Sequence, residues 1–333
     1  MPETFRAFLI DDVDGRPKGG FREISIADLP DNDVLVEVAA STVNYKDGLA
    51  VTGRGRIARR LPMVAGVDLA GTVVASRSPD WKPGDRVIVD GWGLSETEWG
   101  AYGRFHKAKP EWLLPLPEGF SFIEAMAIGT AGYTAALCVD ALERYGALGS
   151  GGEVLVTGAA GGVGSIAVAL LAAAGERVVA VSGRPQTRDW LVGLGAADLI
   201  DRSVLSGEQP PLQKERWAAA VDTVGNRILA NLLARMRRGG AVAACGLAGG
   251  SDLPATVFPF ILRSVALLGV DSVYAPKPAR EAAWRRLSRD LDRTRLASLY
   301  RVEPFAELPR LAEEILAGEI RGRVVLDVAG DHA

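Results

Sequence analysis

Histidine and cysteine are the scarcest chemistry in this chain of 333 residues, with two of each. The histidines are His106 and His332, the second in a polar tail. No CxxC occurs, and no cluster of His, Cys and carboxylate has the spacing of zinc ligands, so no metal is expected. Cys138 and Cys245 share no short spacing, which argues against a disulfide framework and suits a reducing, cytoplasmic setting. Charge of one sign is also missing: 38 Lys and Arg stand against 41 Asp and Glu, a net charge of −3. Nothing draws the whole molecule to nucleic acid or an anionic membrane, and any phosphate binding has to be local. The first twelve residues carry Glu3, Arg6, Asp11 and Asp12 and no apolar core, unlike a signal peptide. One stretch, 154–175, has no charge at all and could pass for a membrane span. Gly158, Gly161, Gly162 and Gly164 interrupt its middle, so a buried strand, a tight turn and a buried helix are expected instead.

What the chain does have is apolar material, 48% against 24% charged. That suffices for sizeable cores and two domains. Roughly the first 125 residues read as β-rich, with short β-branched runs such as 34–38 and 86–89 preceded by turns at 31–33 and 82–85. A helix is expected over 131–145. From Val154 onward apolar strand candidates begin near 154, 177, 197, 219, 241 and 266, a rhythm that leaves room for one helix between each pair. Helices are clear at 163–174 and 228–236, whereas Pro210-Pro211 weakens the segment between Asp201 and Trp217. Six such strands predict an α/β fold with a doubly wound parallel sheet. A charged helix follows at 280–292. A last strand, 323–328, has the texture of the N-terminal β segments, which suggests that the tail returns to the first domain.

The strongest local signal is Ala159-x-Gly161-x-x-Gly164, directly after the strand beginning at Val154 and opening a helix. Gly161 lets the backbone approach a pyrophosphate, whose charge sits against free amides at the helix start. Gly164 allows helix and strand to pack closely. A site for NAD would place a carboxylate at the end of the next strand to hold the ribose 2′-hydroxyl. That strand instead ends in Ser182-Gly183-Arg184. A serine and an arginine suit the 2′-phosphate of NADPH, with Arg202 after the third strand as a second candidate cation. For Arg202 alone, a solvated surface charge is the favoured reading.

Taken together, several stretches resemble one family over almost the whole chain. They are Asn44-Tyr45-Lys46-Asp47-Gly48-Leu49-Ala50, Gly66-Val67-Asp68-Leu69-Ala70-Gly71, Gly91-Trp92-Gly93, and Ile128-Gly129-Thr130-Ala131-Gly132-Tyr133. Further on come the glycine turn at 157–164, Ala180-Val181-Ser182-Gly183-Arg184, Ala243-Ala244-Cys245-Gly246-Leu247, Pro259-Phe260-Ile261-Leu262-Arg263 and Gly269-Val270-Asp271-Ser272-Val273. The chain resembles the zinc-free, quinone-oxidoreductase-like medium-chain dehydrogenase/reductases, and among them the NADPH-dependent acrylyl-CoA reductases. The resemblance implies a GroES-like catalytic domain over 1–127, completed by 274–333, around a Rossmann NADPH-binding domain over 128–273. It implies cofactor contacts from Tyr45, Ala160, Gly161, Gly162, Val163, Ser182, Gly183, Arg184, Arg202, Leu247, Ile261 and Ser272, and a homodimer. Zinc-dependent relatives carry a histidine where this chain has Val67. Members often place an asparagine five residues before the arginine matching Arg323, and here that position is Gly318.

The chemistry so implied is reduction of a carbon–carbon double bond conjugated to a carbonyl, with acrylyl-CoA going to propanoyl-CoA. A quinone or general enone reductase is the alternative on the same scaffold, and a non-catalytic NADPH-binding sensor or structural protein is a reading of another class. Tyr45 has two readings: proton donor to the enolate, or a group that packs on or hydrogen-bonds the nicotinamide ribose. Arg54, Arg56, Arg59 and Arg60 form a patch that suits the phosphates of coenzyme A, with an exposed charged loop as the equal alternative. Without interleaved aromatics the patch is a poor RNA-binding feature. Trp92 and Trp99 flank a polar loop, as core packing or as a lid.

Overall fold

The short β-branched runs and their glycine and proline turns form strands in a computed structural model that describes residues 3–332, except the His332 side chain. In chain order the elements begin with β1 (Thr4–Val13), β2 (Arg16–Ser25), β3 (Val34–Thr42), α1 (Tyr45–Val51), β4 (Met63–Val64), β5 (Asp68–Ser76), β6 (Arg86–Asp90), β7 (Phe105–Ala108), β8 (Leu114–Pro115) and α2 (Phe122–Tyr145). Next come β9 (Glu153–Val156), α3 (Gly162–Ala173), β10 (Arg177–Ser182), α4 (Arg188–Leu194), β11 (Asp198–Asp201), α5 (Ser203–Ser206), β12 (Trp217–Asp222), α6 (Asn226–Leu233), β13 (Met236–Ala244), α7 (Phe258–Arg263) and β14 (Ala266–Gly269). The chain closes with α8 (Lys277–Asp290), α9 (Arg293–Leu299), β15 (Tyr300–Pro304), α10 (Leu308–Ala317) and β16 (Arg323–Asp327).

Two units result. One runs to Thr130 and is completed by Val273–Glu281 and by the chain from Leu299 onward; the other takes Ala131–Ser272 and Ala282–Ser298. The first unit holds a seven-stranded sheet in the order β15-β16-β3-β5-β6-β8, with β7 also on β3, and a three-stranded sheet β2-β1-β4. The tail strand β16 pairs antiparallel with β3, so the chain end does return to the first unit. Phe5, Phe8, Val36, Leu69, Tyr102, Phe105 and Phe305 lie in its core.

The second unit is a parallel sheet in the order β11-β10-β9-β12-β13-β14. Counted along the chain this is 3-2-1-4-5-6, and the order reverses between β9 and β12, where ligands bind at the carboxyl ends of the strands. Every residue of β12 is buried, as befits a central strand covered on both faces. Burial also explains the charge-free stretch at 154–175: β9 is a core strand, and α3 is buried from Gly164 to Leu171.

Three expectations shift. The helix expected at 131–145 starts at Phe122 and is broken at Gly129, where φ is 49° and ψ is −159°. Among the described residues it is the one helix long and apolar enough to cross a membrane, and 78% of its most apolar window is buried inside the protein. The helix expected over 228–236 ends at Leu233, because Met236 already pairs with Trp217 and β13 begins there. Residues 282–298, expected with the first unit, group with the second. Ala283, Trp284 and Leu287 are buried, and Arg286 forms ion pairs with Asp140 and Glu143 of α2.

Candidate functional site

In the second unit the glycine turn has the geometry that its sequence implies. Gly158 turns the chain out of β9 with φ of 58°, and Gly161 stands at the N-cap of α3. A Cβ on Gly164 would lie 2.3 Å from the Gly158 carbonyl oxygen, so only glycine allows the first turn of α3 to sit against the strand exit. A Cβ on Gly161 would meet just that carbonyl, at 3.3 Å. The approach to the first helical amides of Gly162 and Val163, which no preceding carbonyl satisfies, is correspondingly unobstructed.

The end of β10 is drawn to the same place. Arg184 Nη2 donates to the Ala160 carbonyl at 3.0 Å, joining the two loops. A Cβ on Gly183 would fall 2.6 Å from Arg202 Nε, so the Arg202 side chain lies across that glycine. Ser182 Oγ accepts from the Arg184 amide at 3.1 Å and meets Thr187 Oγ1, also at 3.1 Å. The Thr187 proton already goes to the Arg184 carbonyl at 2.7 Å, which leaves the Ser182 proton for the bond between the hydroxyls. Ala160, Ser182, Gly183, Arg184 and Arg202 thus converge, and two guanidinium groups flank one turn. The carboxylate across the sheet, Asp201, accepts from Ser203, which pulls its pKa down. This donor set fits a phosphate monoester.

Leu247 and Ser272 follow the carboxyl ends of β13 and β14, the same edge of the sheet, and Ile261 lies on α7. Leu247 and Ile261 are 59% and 68% exposed. Sequence reasoning missed Asp222 at the end of β12. It is buried, accepts from Thr157 Oγ1 at 2.7 Å and the Gly225 amide at 2.8 Å, and burial raises its pKa.

In the first unit Tyr45 opens α1 and is 39% exposed. Directly behind it lies a polar cluster that the sequence did not announce. Asp68 accepts from Thr42 Oγ1 at 2.8 Å, Asn44 Nδ2 at 3.1 Å and the Thr130 amide at 2.9 Å. Arg323 donates to Asn44 Oδ1 at 3.0 Å and to the Ala127 carbonyl at 3.1 Å. Tyr102 donates to the Thr42 carbonyl at 2.7 Å. Asp47 caps the start of α1 by accepting from the Asn44 amide at 2.9 Å. A Cβ on Gly129 would meet Arg323 Nη2 at 2.8 Å and Asp68 Oδ2 at 2.9 Å, so these two side chains leave room only for glycine at the helix break. Burial raises the pKa of Asp47 to about 7, and lowers that of Arg323. The available signal was a carboxylate, Asp68, inside the apolar run 63–70.

The loop after β6 is tied down at both ends. Trp92 has φ of 56° between two left-handed glycines, and the guanidinium of Arg280 lies 4.0 Å from its ring centroid. Arg280 is buried and donates to the carbonyls of Asp90, Val273 and Ala275. Trp92 and Trp99 both pack against the core of this unit. Glu96 pairs with Lys46 at 2.5 Å and Arg59 at 2.8 Å, and Arg54 pairs with Glu313 at 2.6 Å. Of the four clustered arginines, Arg56 and Arg60 are exposed and have no ion-pair partner among the described residues. Gly318 ends α10 in the left-handed region, φ 73° and ψ 23°.

Residues 30–141 match the alcohol dehydrogenase GroES-like domain, and residues 162–289 match the zinc-binding dehydrogenase domain. The chain is 47% identical over 327 residues to acrylyl-CoA reductase AcuI of Ruegeria pomeroyi, covering 97% of this chain and 99% of that protein. The YhdH oxidoreductase of Salmonella enterica, solved in complex with NADP, superposes with a TM-score of 0.94 at 47% identity, covering 97% of this chain and 99% of that one. YhfP of Bacillus subtilis, solved with NAD bound, gives a TM-score of 0.93 at 44% identity over 98% of this chain and 100% of its own. The chain belongs to the quinone-oxidoreductase-like medium-chain dehydrogenase/reductases.

The zinc in one domain description does not fit this donor set. Among the described residues no three His, Cys, Asp or Glu side chains group so as to hold a metal. His106 is buried, with Nδ1 3.0 Å from the Gly100 carbonyl and its ring stacked on Trp112, and burial lowers its pKa to about 4.

Proposed function

We propose that this protein is an NADPH-dependent enoyl-thioester reductase that converts acrylyl-CoA to propanoyl-CoA. The near full-length match to an acrylyl-CoA reductase carries the reading. NADPH, when bound, supplies the hydride that adds to the β-carbon of the substrate double bond. The chain's own work is to hold and polarise. Arg184 and Arg202 neutralise the 2′-phosphate, and Ser182 yields its proton from Thr187 to the same group. The amides at the start of α3 receive the pyrophosphate through Ala160, Gly161, Gly162 and Val163. Leu247, Ile261 and Ser272 supply the remaining contacts on the cofactor side.

As the β-carbon gains hydride, negative charge spreads to the thioester oxygen, and a donor aimed there lowers the barrier. Protonation of the α-carbon completes the reduction. Tyr45 is the side chain assigned to this end of the chemistry, as the proton donor or as the group that holds the nicotinamide ribose. Arg56 and Arg60 are the cations left to meet the phosphates of coenzyme A, since Arg54 and Arg59 are neutralised within the chain.

A second reading, quinone or enone reduction, is favoured by the 46% identity to the YhfP protein of Bacillus subtilis, named a putative quinone oxidoreductase. Steady-state rates on acrylyl-CoA and on quinones decide between the two: a higher kcat/KM on quinones transfers the assignment. Retained NADPH affinity with no turnover on either points to a sensor. We further infer a cytoplasmic homodimer. Supporting it are the free thiols of Cys138 and Cys245, and the sheet edge at β14 beside exposed Val257, Phe258 and Leu262. Equilibrium sedimentation tests the dimer.

A further inference from the structure

Asp47 is fully buried, and its two carboxyl oxygens meet different surroundings. Oδ2 accepts from Asn44 N at 2.9 Å and Asn44 Nδ2 at 3.0 Å. Oδ1 has no donor. The group that interacts with Asp47 from the segment before β7 is the Tyr102 hydroxyl, and its single proton is committed to the Thr42 carbonyl at 2.7 Å. An ionised Asp47 would therefore face Tyr102 lone pair to lone pair, away from water. A proton on Oδ1 turns the same contact into a hydrogen bond from Asp47 to Tyr102 Oη.

The surrounding charges agree. β5 contributes Asp68 and β16 contributes Arg323, which offset each other, while Asp90 at the end of β6 also acts on Arg323. An ionised Asp47 would leave this buried group with surplus negative charge. Asp68, by contrast, accepts from Thr42, Asn44 and Thr130. Lys46, on the same turn as Asp47, is engaged by Glu96. Where α10 meets α1 at Gly48, it presents Ile315, Leu316 and the Ala312 carbonyl, and Gly19 of β2 lies against the Val51 carbonyl; neither brings a charge.

We propose that Asp47 is a positioning residue that carries a proton on Oδ1 in the working enzyme, and that this proton holds the first turn of α1, with Tyr45 at its head, in place. Burial, with the charge of Asp68 acting in the same direction, puts the loss of this proton at about pH 7. Above that pH the carboxylate repels the Tyr102 oxygen and Asp68, and the turn that carries Tyr45 loosens. The protonation stands by itself; its consequence for turnover rests on the reading of Tyr45 above.

Infrared difference spectroscopy between pH 6 and pH 9 tests the proton directly. The wild-type protein is expected to show the carbonyl band of a buried protonated carboxyl at pH 6 and lose it at pH 9, and Asp47→Asn to show no such change. Two pH units above its midpoint about 99% of a carboxyl is ionised, so wild-type kcat with acrylyl-CoA is expected to fall at least about tenfold from pH 6 to pH 9. In Asp47→Asn the amide can accept from Asn44 and donate to Tyr102 at every pH, and the ratio of kcat at the two pH values is expected to be near one. A wild-type spectrum without the carboxyl band at pH 6, or an Asp47→Asn variant that keeps the alkaline decline, overturns the proposal. Wild-type protein that turns over neither thioester nor quinone overturns the functional reading instead, and the infrared result still decides the proton.

Discussion

Replacing Arg184 by alanine separates recognition of the 2′-phosphate from recognition of the rest of the dinucleotide. In the structure the guanidinium donates to the Ala160 carbonyl, and the Arg202 side chain lies across the neighbouring Gly183. A hydrogen bond to a charged group contributes about 1.5–3 kcal/mol. At 1.36 kcal/mol per factor of ten, losing it corresponds to a rise of about 10- to 150-fold in KM for NADPH. NADH has no 2′-phosphate, so the charge-assisted bond to that group is not lost and its KM is expected to change much less. The expected signature is therefore a collapse of the NADPH-to-NADH preference with kcat on NADPH little altered. Initial rates with each cofactor at saturating acrylyl-CoA provide the measurement. Equal shifts in both KM values, or an unmodified enzyme that uses both cofactors alike, would refute the assignment of Arg184.

Tyr45→Phe keeps the ring and removes the proton: acid catalysis predicts a loss of about 100-fold or more in kcat, and ribose binding predicts a raised KM for NADPH with kcat nearly intact. Pre-steady-state and steady-state rates distinguish the two, and no change in either parameter makes Tyr45 structural. Replacing Arg56 and Arg60 together should raise KM for acrylyl-CoA about tenfold while sparing acrylyl-pantetheine, which lacks the nucleotide phosphates; equal effects on both thioesters remove the patch from substrate binding. His106, neutral in the fold to about pH 4, takes a proton near pH 6.5 once unfolded. The unfolded state binds more protons in that window, so stability is lost as pH falls from 6.5 to 4, by about 3 kcal/mol. Denaturant unfolding of wild type and His106→Phe at pH 7 and pH 4 should show this contribution as the difference between the two proteins, the wild type losing about 3 kcal/mol relative to the variant on going to pH 4, and parallel pH curves would contradict it.

The local half of this protein was legible in its residues. The strand, glycine turn and helix at 154–173 follow from hydrophobic continuity and from glycines, of which Gly158 and Gly164 have no room for a Cβ. The junction Ser182-Gly183-Arg184 names its ligand chemistry by its side chains alone, and the spacing of six apolar runs set out the parallel sheet. These features depend on neighbours in sequence, where period and steric limits operate. The helix start at Phe122 was not visible, because the helix is broken at Gly129, where Arg323 and Asp68, far off along the chain, leave no room for a side chain. Arg202, read alone as a solvated charge, is placed on Gly183 by the pairing of β10 with β11. Likewise the polar cluster behind Tyr45 draws Thr42, Asp47, Asp68, Tyr102 and Arg323 from separate elements, and the unsatisfied oxygen of Asp47 exists only once they meet. Residue identity determined which groups could bind phosphate; the tertiary structure decided which of them are neutralised, which are exposed and which carboxyl keeps a proton, because those depend on burial and on partners that sequence spacing does not encode.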